Sequence, residues 1–126
     1  MATLLIRDAA QIVTFDDADT TYANGSIFVR EGAIEAIGRA SDVAREADRV
    51  VDARGCIVIP GLVNTHHHFS QTLTRAVPGT QDAGLFDWLV TLYPIWARLR
   101  PEALRSATAI ACAELLLSGC TTSSHP

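Results

Sequence analysis

The hydrophobic pattern of this 126-residue chain changes character at Pro60-Gly61. Before that dipeptide the sequence consists of short β-rich runs separated by turn residues. From Leu85 onward, apolar residues recur every three or four positions, as in an amphipathic helix. Because domains commonly span roughly 100–200 residues, such a chain has room for one domain, or for one small domain plus part of another. We therefore predict an α/β protein with one unit at 1–60 and a second at 61–126.

The first unit is predicted to be an antiparallel β structure. The predicted strands are Thr3–Arg7, Gln11–Thr14, Ser26–Arg30, Ala33–Ile37, Arg49–Asp52 and Cys56–Ile59. Two of them flank Glu31-Gly32, a spacing typical of a β-hairpin. The stretch Ser41–Asp48 is predicted to form one or two helical turns with Ser41 as the N-cap.

The second unit is predicted to follow the order strand, helix, helix, strand. Its predicted elements are a strand at Leu62–Asn64, a helix from Leu85 that Pro94 ends or kinks, a helix from Pro101 that stops before Gly119, and a strand starting at Cys120. Proline suits the first position of a helix and glycine the position just after its end. The unit therefore begins and ends with a strand.

The composition excludes several classes of function. The net charge is −4, which argues against a nucleic-acid partner or an anionic membrane. All ten basic residues are arginines, so chemistry that needs a lysine is excluded within the chain. Cys56, Cys112 and Cys120 form no CxxC pair and leave an odd count, so we expect free thiols in a cytoplasmic protein. The sequence shows neither a signal peptide nor an apolar run long enough to span a membrane.

Three consecutive histidines, His66, His67 and His68, follow the predicted strand Leu62–Asn64. On an extended backbone alternate side chains share a face, so His66 and His68 should point together and His67 away. Two neighbouring imidazoles at the end of a strand suit Zn²⁺, with Fe²⁺ as the second choice. The alternative is that these are ordinary packed histidines, since an HxH pair often occurs by chance. His67 is better interpreted as a packing residue or as one that supports the metal ligands without binding the metal itself.

The context of the histidines resembles the amidohydrolase superfamily. The resemblance is carried by the run from Val58 to His68, VIPGLVNTHHH, and by the approach Asp52-Ala53-Arg54-Gly55. It implies that residues 1–60 are part of a small β-sandwich. Residues 61–126 would then be the first βα units of a (β/α)₈ barrel that is incomplete in this chain.

Within that superfamily the chain resembles the branch that deaminates heterocyclic rings. The relevant segments are His68–Arg75, Leu85–Trp96 and Glu114–Ser124. The resemblance implies a hydrolytic deaminase of an oxidised purine or a related ring, with one divalent metal that generates a hydroxide from bound water. The hydroxide would attack the ring carbon that carries the amine, and ammonia would leave.

The resemblance also implies roles for particular residues. His66 and His68 would be metal ligands, and Gln71 would hydrogen-bond the substrate ring, since an amide both donates and accepts. The alternative for Gln71 is a solvated residue at the start of a helix. Trp88 lines the pocket or, the interpretation we favour, packs in the core. Arg75 is expected to hold the loop after the strand by an ion pair, without a catalytic role.

Trp96 and Tyr93 are expected in the core. His125 is given no role, because relatives in this branch tend to read Thr-Ser-Ser-Asp-His here, whereas this chain reads Ser123-Ser124-His125 and lacks the aspartate.

The catalytic acid and base groups are expected to lie outside this chain. After His68 the sequence offers one histidine and four acids, namely His125, Asp82, Asp87, Glu102 and Glu114. A (β/α)₈ barrel needs roughly 250 residues, so we expect an N-terminal fragment of a larger enzyme that is inactive alone. Its expected partners are the remainder of the enzyme polypeptide, a small heterocyclic substrate, and further copies in a homo-oligomer of the full-length form.

Two alternatives stay open at this point. One is another amidohydrolase reaction, such as dechlorination or dealkylamination of a triazine or hydrolysis of a cyclic amide, because these reactions share the first strand and differ in later loops. The other is a non-catalytic truncated module.

Overall fold

The computed structural model describes residues 2–43 and 46–125, and the chain divides into two compact units, Met1–Pro60 and Gly61–Pro126. The first unit contains β1 (Thr3–Val13), β2 (Thr21–Arg30), β3 (Ala33–Arg39), β4 (Arg49–Asp52) and β5 (Ile57–Val58). The second contains β6 (Leu62–Asn64), the 3₁₀ helices Phe69–Thr74 and Pro78–Thr80, α1 (Leu85–Trp96), α2 (Pro101–Leu117) and β7 (Cys120–Ser123). The α/β class is confirmed.

The sheet of the first unit is mixed rather than antiparallel. Its order is β3-β2-β1-β4, and β5 also pairs with β1. The first three strands are antiparallel, but β4 and β5 run parallel to β1. The carboxylate of Asp48 accepts hydrogen bonds from the backbone N and the hydroxyl of Thr3, both at 2.8 Å. These bonds hold the start of β4 beside the start of β1, so the two strands run in the same direction.

The first strand is continuous where the sequence predicted two. A register shift between Ile6 and Ala9 absorbs the polar interruption, and Asp8 adopts a φ of 58°. The backbone N of Asp8 donates to Ser26 Oγ at 3.2 Å. A β-bulge of this kind bends a strand without ending it, which is why the predicted break is wrong.

The hairpin around Glu31-Gly32 is confirmed. Arg30 pairs with Ala33, so the loop has two residues. Glu31 has a φ of 51° and Gly32 a φ of 82°. Positive φ at both central positions is the geometry of two-residue turns that follow the natural twist of the strands.

The helical turns predicted at Ser41–Asp48 are absent from the described part of that stretch, so this prediction is wrong there. Ser41 and Asp42 lie in a turn, and the Ser41 hydroxyl donates to the Asp42 carboxylate at 2.7 Å instead of capping a helix. Ala44 and Arg45 lie outside the described residues.

The second unit is built on the parallel pair β6 and β7, with both α-helices in the connection between them. The predicted helix starts are confirmed, and Gly119 follows α2 with a φ of 83°. Helix α1 continues for two residues past Pro94, because the bond from Ala97 N to the Tyr93 carbonyl at 2.9 Å still closes its last turn. Neither helix is long and apolar enough to cross a membrane among the described residues.

Candidate metal centre at the ends of two parallel strands

The carboxyl ends of β6 and β7 meet at one edge because the two strands are parallel. The pairing continues beyond the strands, since Ser124 donates from its backbone N to the Asn64 carbonyl at 3.2 Å and from its hydroxyl to the Thr65 carbonyl at 3.0 Å. His66, His67 and His68 follow the first strand, and His125 follows the second. All four histidines of the chain therefore lie beyond the same pair of strand ends.

His66 and His68 lie side by side. Their ring centroids are 5.0 Å apart, with the ring planes at 79°. The Asn64 side-chain oxygen accepts a hydrogen bond from the backbone N of His66 at 3.0 Å, which fixes the turn at the end of β6. The structure thus brings together the two imidazoles that the sequence singled out.

His67 has different neighbours. Its ring lies 4.9 Å from that of Phe69, and its Nδ1 atom is buried without a hydrogen-bond partner among the described residues. The contact with Phe69 agrees with a packing residue, whereas the unpartnered Nδ1 is not explained by packing.

His125 approaches the histidine run from the second strand. Its Nδ1 lies 3.2 Å from the His67 carbonyl oxygen, and its ring stacks on Phe69 at 5.4 Å between centroids and 24° between planes. The ring of His68 is 6.1 Å away. Sequence reasoning gave His125 no role. The signal that could have found it is the predicted strand at Cys120, because the end of that strand meets the end of β6.

The described residues contain no group of three His, Cys, Asp or Glu side chains arranged to hold a metal ion. His66 and His68 are therefore a pair of nitrogen donors, which is less than the three or four protein ligands of a typical zinc site.

Gln71 lies in the 3₁₀ helix Phe69–Thr74 and is half-buried. Its backbone N donates to the His68 carbonyl at 3.0 Å, which ties the residue to the histidine run. No described residue hydrogen-bonds its side-chain amide. The amide is thus left with its donors and its acceptor available.

Two contacts hold this 3₁₀ helix to the α-helices. Trp96 Nε1 donates to Thr74 Oγ1 at 2.9 Å from α1. The guanidinium of Arg75 donates twice to the Glu114 carboxylate on α2, at 2.6 and 2.8 Å. The hydrogen bonds from Arg75 lower the pKa of Glu114, and the charges of Arg75 and His67 add smaller effects in the same direction. The expected ion pair of Arg75 is confirmed.

The aromatic residues of α1 form a cluster around Trp96. The rings of Trp88 and Tyr93 meet that of Trp96 edge-on, at 5.2 and 5.5 Å between centroids. Trp88 and Trp96 are half-buried, whereas Tyr93 is 57% exposed. The expectation of a core position is wrong for Tyr93, because the one described residue buried in α1 is Leu92.

Comparison with known proteins defines the class of this chain. A model of the amidohydrolase family matches residues 57–124, which is more than half of the chain. The matched segment contains the histidine run and both strands of the parallel pair. The chain belongs to the amidohydrolase family.

Individual relatives indicate the branch of the family to which the chain is most similar among those compared. The chain is 50% identical over 123 residues to the 8-oxoguanine deaminase of Pseudomonas aeruginosa. The aligned residues make up 97% of this chain and 27% of that protein. It is 34% identical over 134 residues to the hydroxydechloroatrazine ethylaminohydrolase of Pseudomonas sp. strain ADP, again over 97% of this chain and 27% of the relative. The resemblance to the ring-deaminase branch is confirmed.

A solved structure shows the same fold. The atrazine chlorohydrolase of Arthrobacter aurescens, crystallised with zinc, superposes with a TM-score of 0.88 at 30% identity, over 97% of this chain and 28% of that one. The chain thus spans somewhat more than a quarter of the length of the relatives that it matches.

Proposed function

We propose that this chain supplies the first part of a metal-dependent hydrolytic deaminase that acts on a heterocyclic amine, specifically an oxidised purine such as 8-oxoguanine. The observation that carries the proposal is the pair of adjacent imidazoles, His66 and His68, at the carboxyl end of a strand in an amidohydrolase chain. The substrate class rests on the 50% identity to an 8-oxoguanine deaminase.

The chain would contribute two parts of such an enzyme. Residues 1–60 would form part of a β-sandwich domain, and residues 61–126 the start of the (β/α)₈ barrel. Active sites of such barrels lie at the carboxyl ends of the strands, which is where the histidines lie here. The catalytic acid and base and the remaining ligands would come from later strands of the same enzyme, which we expect to be a cytoplasmic homo-oligomer.

The donor set fits a divalent metal of borderline softness. His66 and His68 would hold the ion through imidazole nitrogens, with Zn²⁺ favoured over Fe²⁺. When bound, such an ion supplies a hydroxide at neutral pH by lowering the pKa of coordinated water to about 7. The hydrogen bond that the His66 backbone N donates to the Asn64 side-chain oxygen would keep the two rings adjacent.

Gln71 would orient the substrate ring. Its backbone is tied to the His68 carbonyl, so the amide is held close in sequence and space to the metal ligands. An amide offers both a donor and an acceptor, which matches the paired N–H and C=O edge of an oxidised purine.

A second candidate function is hydrolysis of a substituted triazine. It is favoured by the zinc-containing atrazine chlorohydrolase, whose fold matches at a TM-score of 0.88. The deaminase is preferred because its relative is more similar in sequence, at 50% against 30% identity.

The ligand assignment is tested on the 126-residue chain itself. Titration with Co²⁺, followed by visible absorption, should show binding that His66→Asn and His68→Asn each abolish. His67→Asn is the matched control and should leave binding unchanged. Equal loss in all three variants, or in none, would overturn the assignment.

The reaction is tested in a chimera in which this chain replaces the aligned segment of the Pseudomonas aeruginosa enzyme. Ammonia release from 8-oxoguanine should depend on His66 and His68. Gln71→Leu should raise KM more than it lowers kcat, whereas Gln71→Glu keeps the acceptor and should be milder. A folded, metal-containing chimera that converts chlorotriazines and not 8-oxoguanine would favour the second candidate.

A further inference from the structure

We propose that His125 is a substrate-positioning residue, whose Nε2 accepts a hydrogen bond from a ring N–H of the heterocycle bound beside the metal. The inference rests on the proposed function and deepens it. It assigns a role to a residue that the sequence left without one.

The ring of His125 is held on two sides. One face stacks on Phe69 at 24° between planes, and Nδ1 lies 3.2 Å from the His67 carbonyl oxygen. The backbone just before it is held as well, because Ser124 bonds to the carbonyls of Asn64 and Thr65. A side chain fixed by stacking and by a hydrogen bond presents its remaining polar atom in one direction, as a binding site requires.

The contact with His67 fixes the tautomer. A carbonyl oxygen can only accept, so the hydrogen bond forms when Nδ1 carries the proton. In the neutral imidazole the other nitrogen, Nε2, then holds a free lone pair. Nε2 receives no hydrogen bond from the described residues, and the His125 residue is exposed. It is therefore an oriented acceptor without a protein donor.

A ligand role toward the metal is the obvious competitor, and the geometry argues against it. The His125 ring lies 6.1 Å from that of His68, compared with 5.0 Å between His66 and His68. Within residues 2–43 and 46–125, these histidines do not form a three-ligand group. The lone pair of Nε2 is thus left for a molecule bound next to the pair of ligands.

The chemistry of an oxidised purine suits this acceptor. Oxidation places lactam N–H groups on the ring edge, and each needs an acceptor once the ring leaves water. Gln71 can satisfy one N–H and one carbonyl, which leaves a further N–H for His125. A site with such an acceptor discriminates against analogues that lack the N–H, because the acceptor would then be buried unpaired.

Two substitutions separate this role from a structural one. His125→Asn keeps an amide N–H close to the place of Nδ1 and removes the outward acceptor. His125→Gln places an amide oxygen close to Nε2 and gives up the bond to His67. In the chimera, His125→Asn should raise KM for 8-oxoguanine by roughly five- to tenfold, which corresponds to the loss of about one neutral hydrogen bond. His125→Gln should bring KM most of the way back to the value of the parent. The melting temperature of both variants should stay close to that of the parent.

The opposite ranking of KM in the two variants would overturn the proposal. If His125→Asn behaves like the parent and His125→Gln is impaired, the residue serves only to hold the His67 backbone. Equal KM values in both variants and the parent would also overturn it.

A second measurement keeps the test independent of turnover. In the 126-residue chain, ¹⁵N spectra of the histidine rings should show the His125 proton on Nδ1. In the metal-loaded chimera, addition of 8-oxoguanine should shift the His125 Nε2 signal. An inactive chimera that still shows this shift would contradict the proposed reaction and support His125 as a binding residue. An active chimera without the shift would overturn the role of His125 alone.

Discussion

Trp96 donates its indole N–H to the hydroxyl of Thr74 at 2.9 Å, and that hydroxyl donates in turn to the Gln71 carbonyl at 3.1 Å. Thr74 is 5% exposed, so both bonds lie in a site from which water is largely excluded. The chain of bonds connects α1 to the backbone of the 3₁₀ helix that carries Gln71. The position of the proposed substrate contact therefore depends on an aromatic residue 25 positions further along the sequence.

Substitution of Thr74 by valine should destabilise the chain by about 1–3 kcal/mol, because it leaves the Trp96 N–H and the Gln71 carbonyl without their partner. Valine keeps the shape of threonine, so packing changes little. Urea unfolding monitored by tryptophan fluorescence measures the difference.

Thr91→Val provides the control for the Thr74 variant. The Thr91 hydroxyl donates to the Asp87 carbonyl on the exposed face of α1, where water replaces the bond. Its loss should change stability by less than about 0.5 kcal/mol. Equal effects of the two substitutions would show that the Thr74 hydroxyl does not stabilise the fold.

The ion pair between Arg75 and Glu114 should contribute a small, salt-sensitive stabilisation. Both side chains are half-exposed, at 62% and 45%, so solvent screens their attraction. The pKa of Glu114 is lowered by the hydrogen bonds from Arg75, so the stabilisation is present above the ordinary pKa of a glutamate and is lost on acidification below it. Thermal unfolding of Arg75→Gln, Glu114→Gln and the double variant gives the coupling free energy between the two side chains.

The salt series distinguishes this coupling from a packing effect. At 1 M salt the screening length is about 3 Å, and the coupling should largely vanish. A coupling that is the same at low and high salt would mean that the two side chains interact mainly through their aliphatic parts.

Much of the fold was predictable because it is locally encoded. The hairpin at Glu31-Gly32 and the helix start at Pro101 depend on residues that are neighbours in sequence. The pairing of His66 with His68 follows from the two-residue period of an extended backbone. Each of these predictions needed only a short window.

The remaining features depend on partners that a local pattern does not identify. A strand pattern carries no direction, and the expectation that β4 and β5 are antiparallel is wrong. Both pair in parallel with β1, and the contact between Thr3 and Asp48 joins the start of β4 to the start of β1. His125 lies 58 positions from the carbonyl that it contacts, and the two meet only because β6 pairs with β7. The candidate site was therefore predictable only in part: both of its strands were expected from the sequence, but their pairing, which brings His125 to the histidine run, was not.

The stability of the first unit should depend on Asp52 in acid. The guanidinium and the backbone N–H of Arg54 bond to this carboxylate and lower its pKa to about 2 from the ordinary value of 3.8. A lowered pKa means that the ion pair stabilises the folded chain at pH values above 3.8, and that this contribution is lost as the pH falls through 2.

Asp52→Asn should accordingly be less stable than the parent above about pH 4, with a difference that shrinks toward pH 2. Urea unfolding at intervals between these limits measures the difference. Arg54→Gln should reproduce the same pH dependence, and combining the two substitutions should add little. A difference between Asp52→Asn and the parent that does not vary with pH would contradict the assignment of Arg54 as the cause.

The parallel pair at the candidate site should not tolerate a side chain at Gly61. A Cβ atom placed there would collide with the Thr121 side chain on the neighbouring strand. The Cβ atom of Thr121 would lie 2.8 Å from the new atom, and rotation of the exposed Thr121 side chain does not move it. Gly61→Ala should therefore separate the start of β6 from β7 and destabilise the second unit by about 1–3 kcal/mol, a typical cost of overpacking. Since β6 leads into His66 and His68, the same variant should weaken Co²⁺ binding.

Gly79→Ala supplies the matched control, because a Cβ atom at that position meets no atom within 4 Å. It should leave both stability and Co²⁺ binding close to those of the parent chain. The decisive comparison is Gly61→Ala with and without Thr121→Gly, measured by urea unfolding and by Co²⁺ absorption. Removal of the Thr121 side chain opens the space that the new methyl group needs, so part of the lost metal binding should return. If the double variant binds Co²⁺ no better than Gly61→Ala alone, the close approach of the two strands is not what keeps the histidine pair in place.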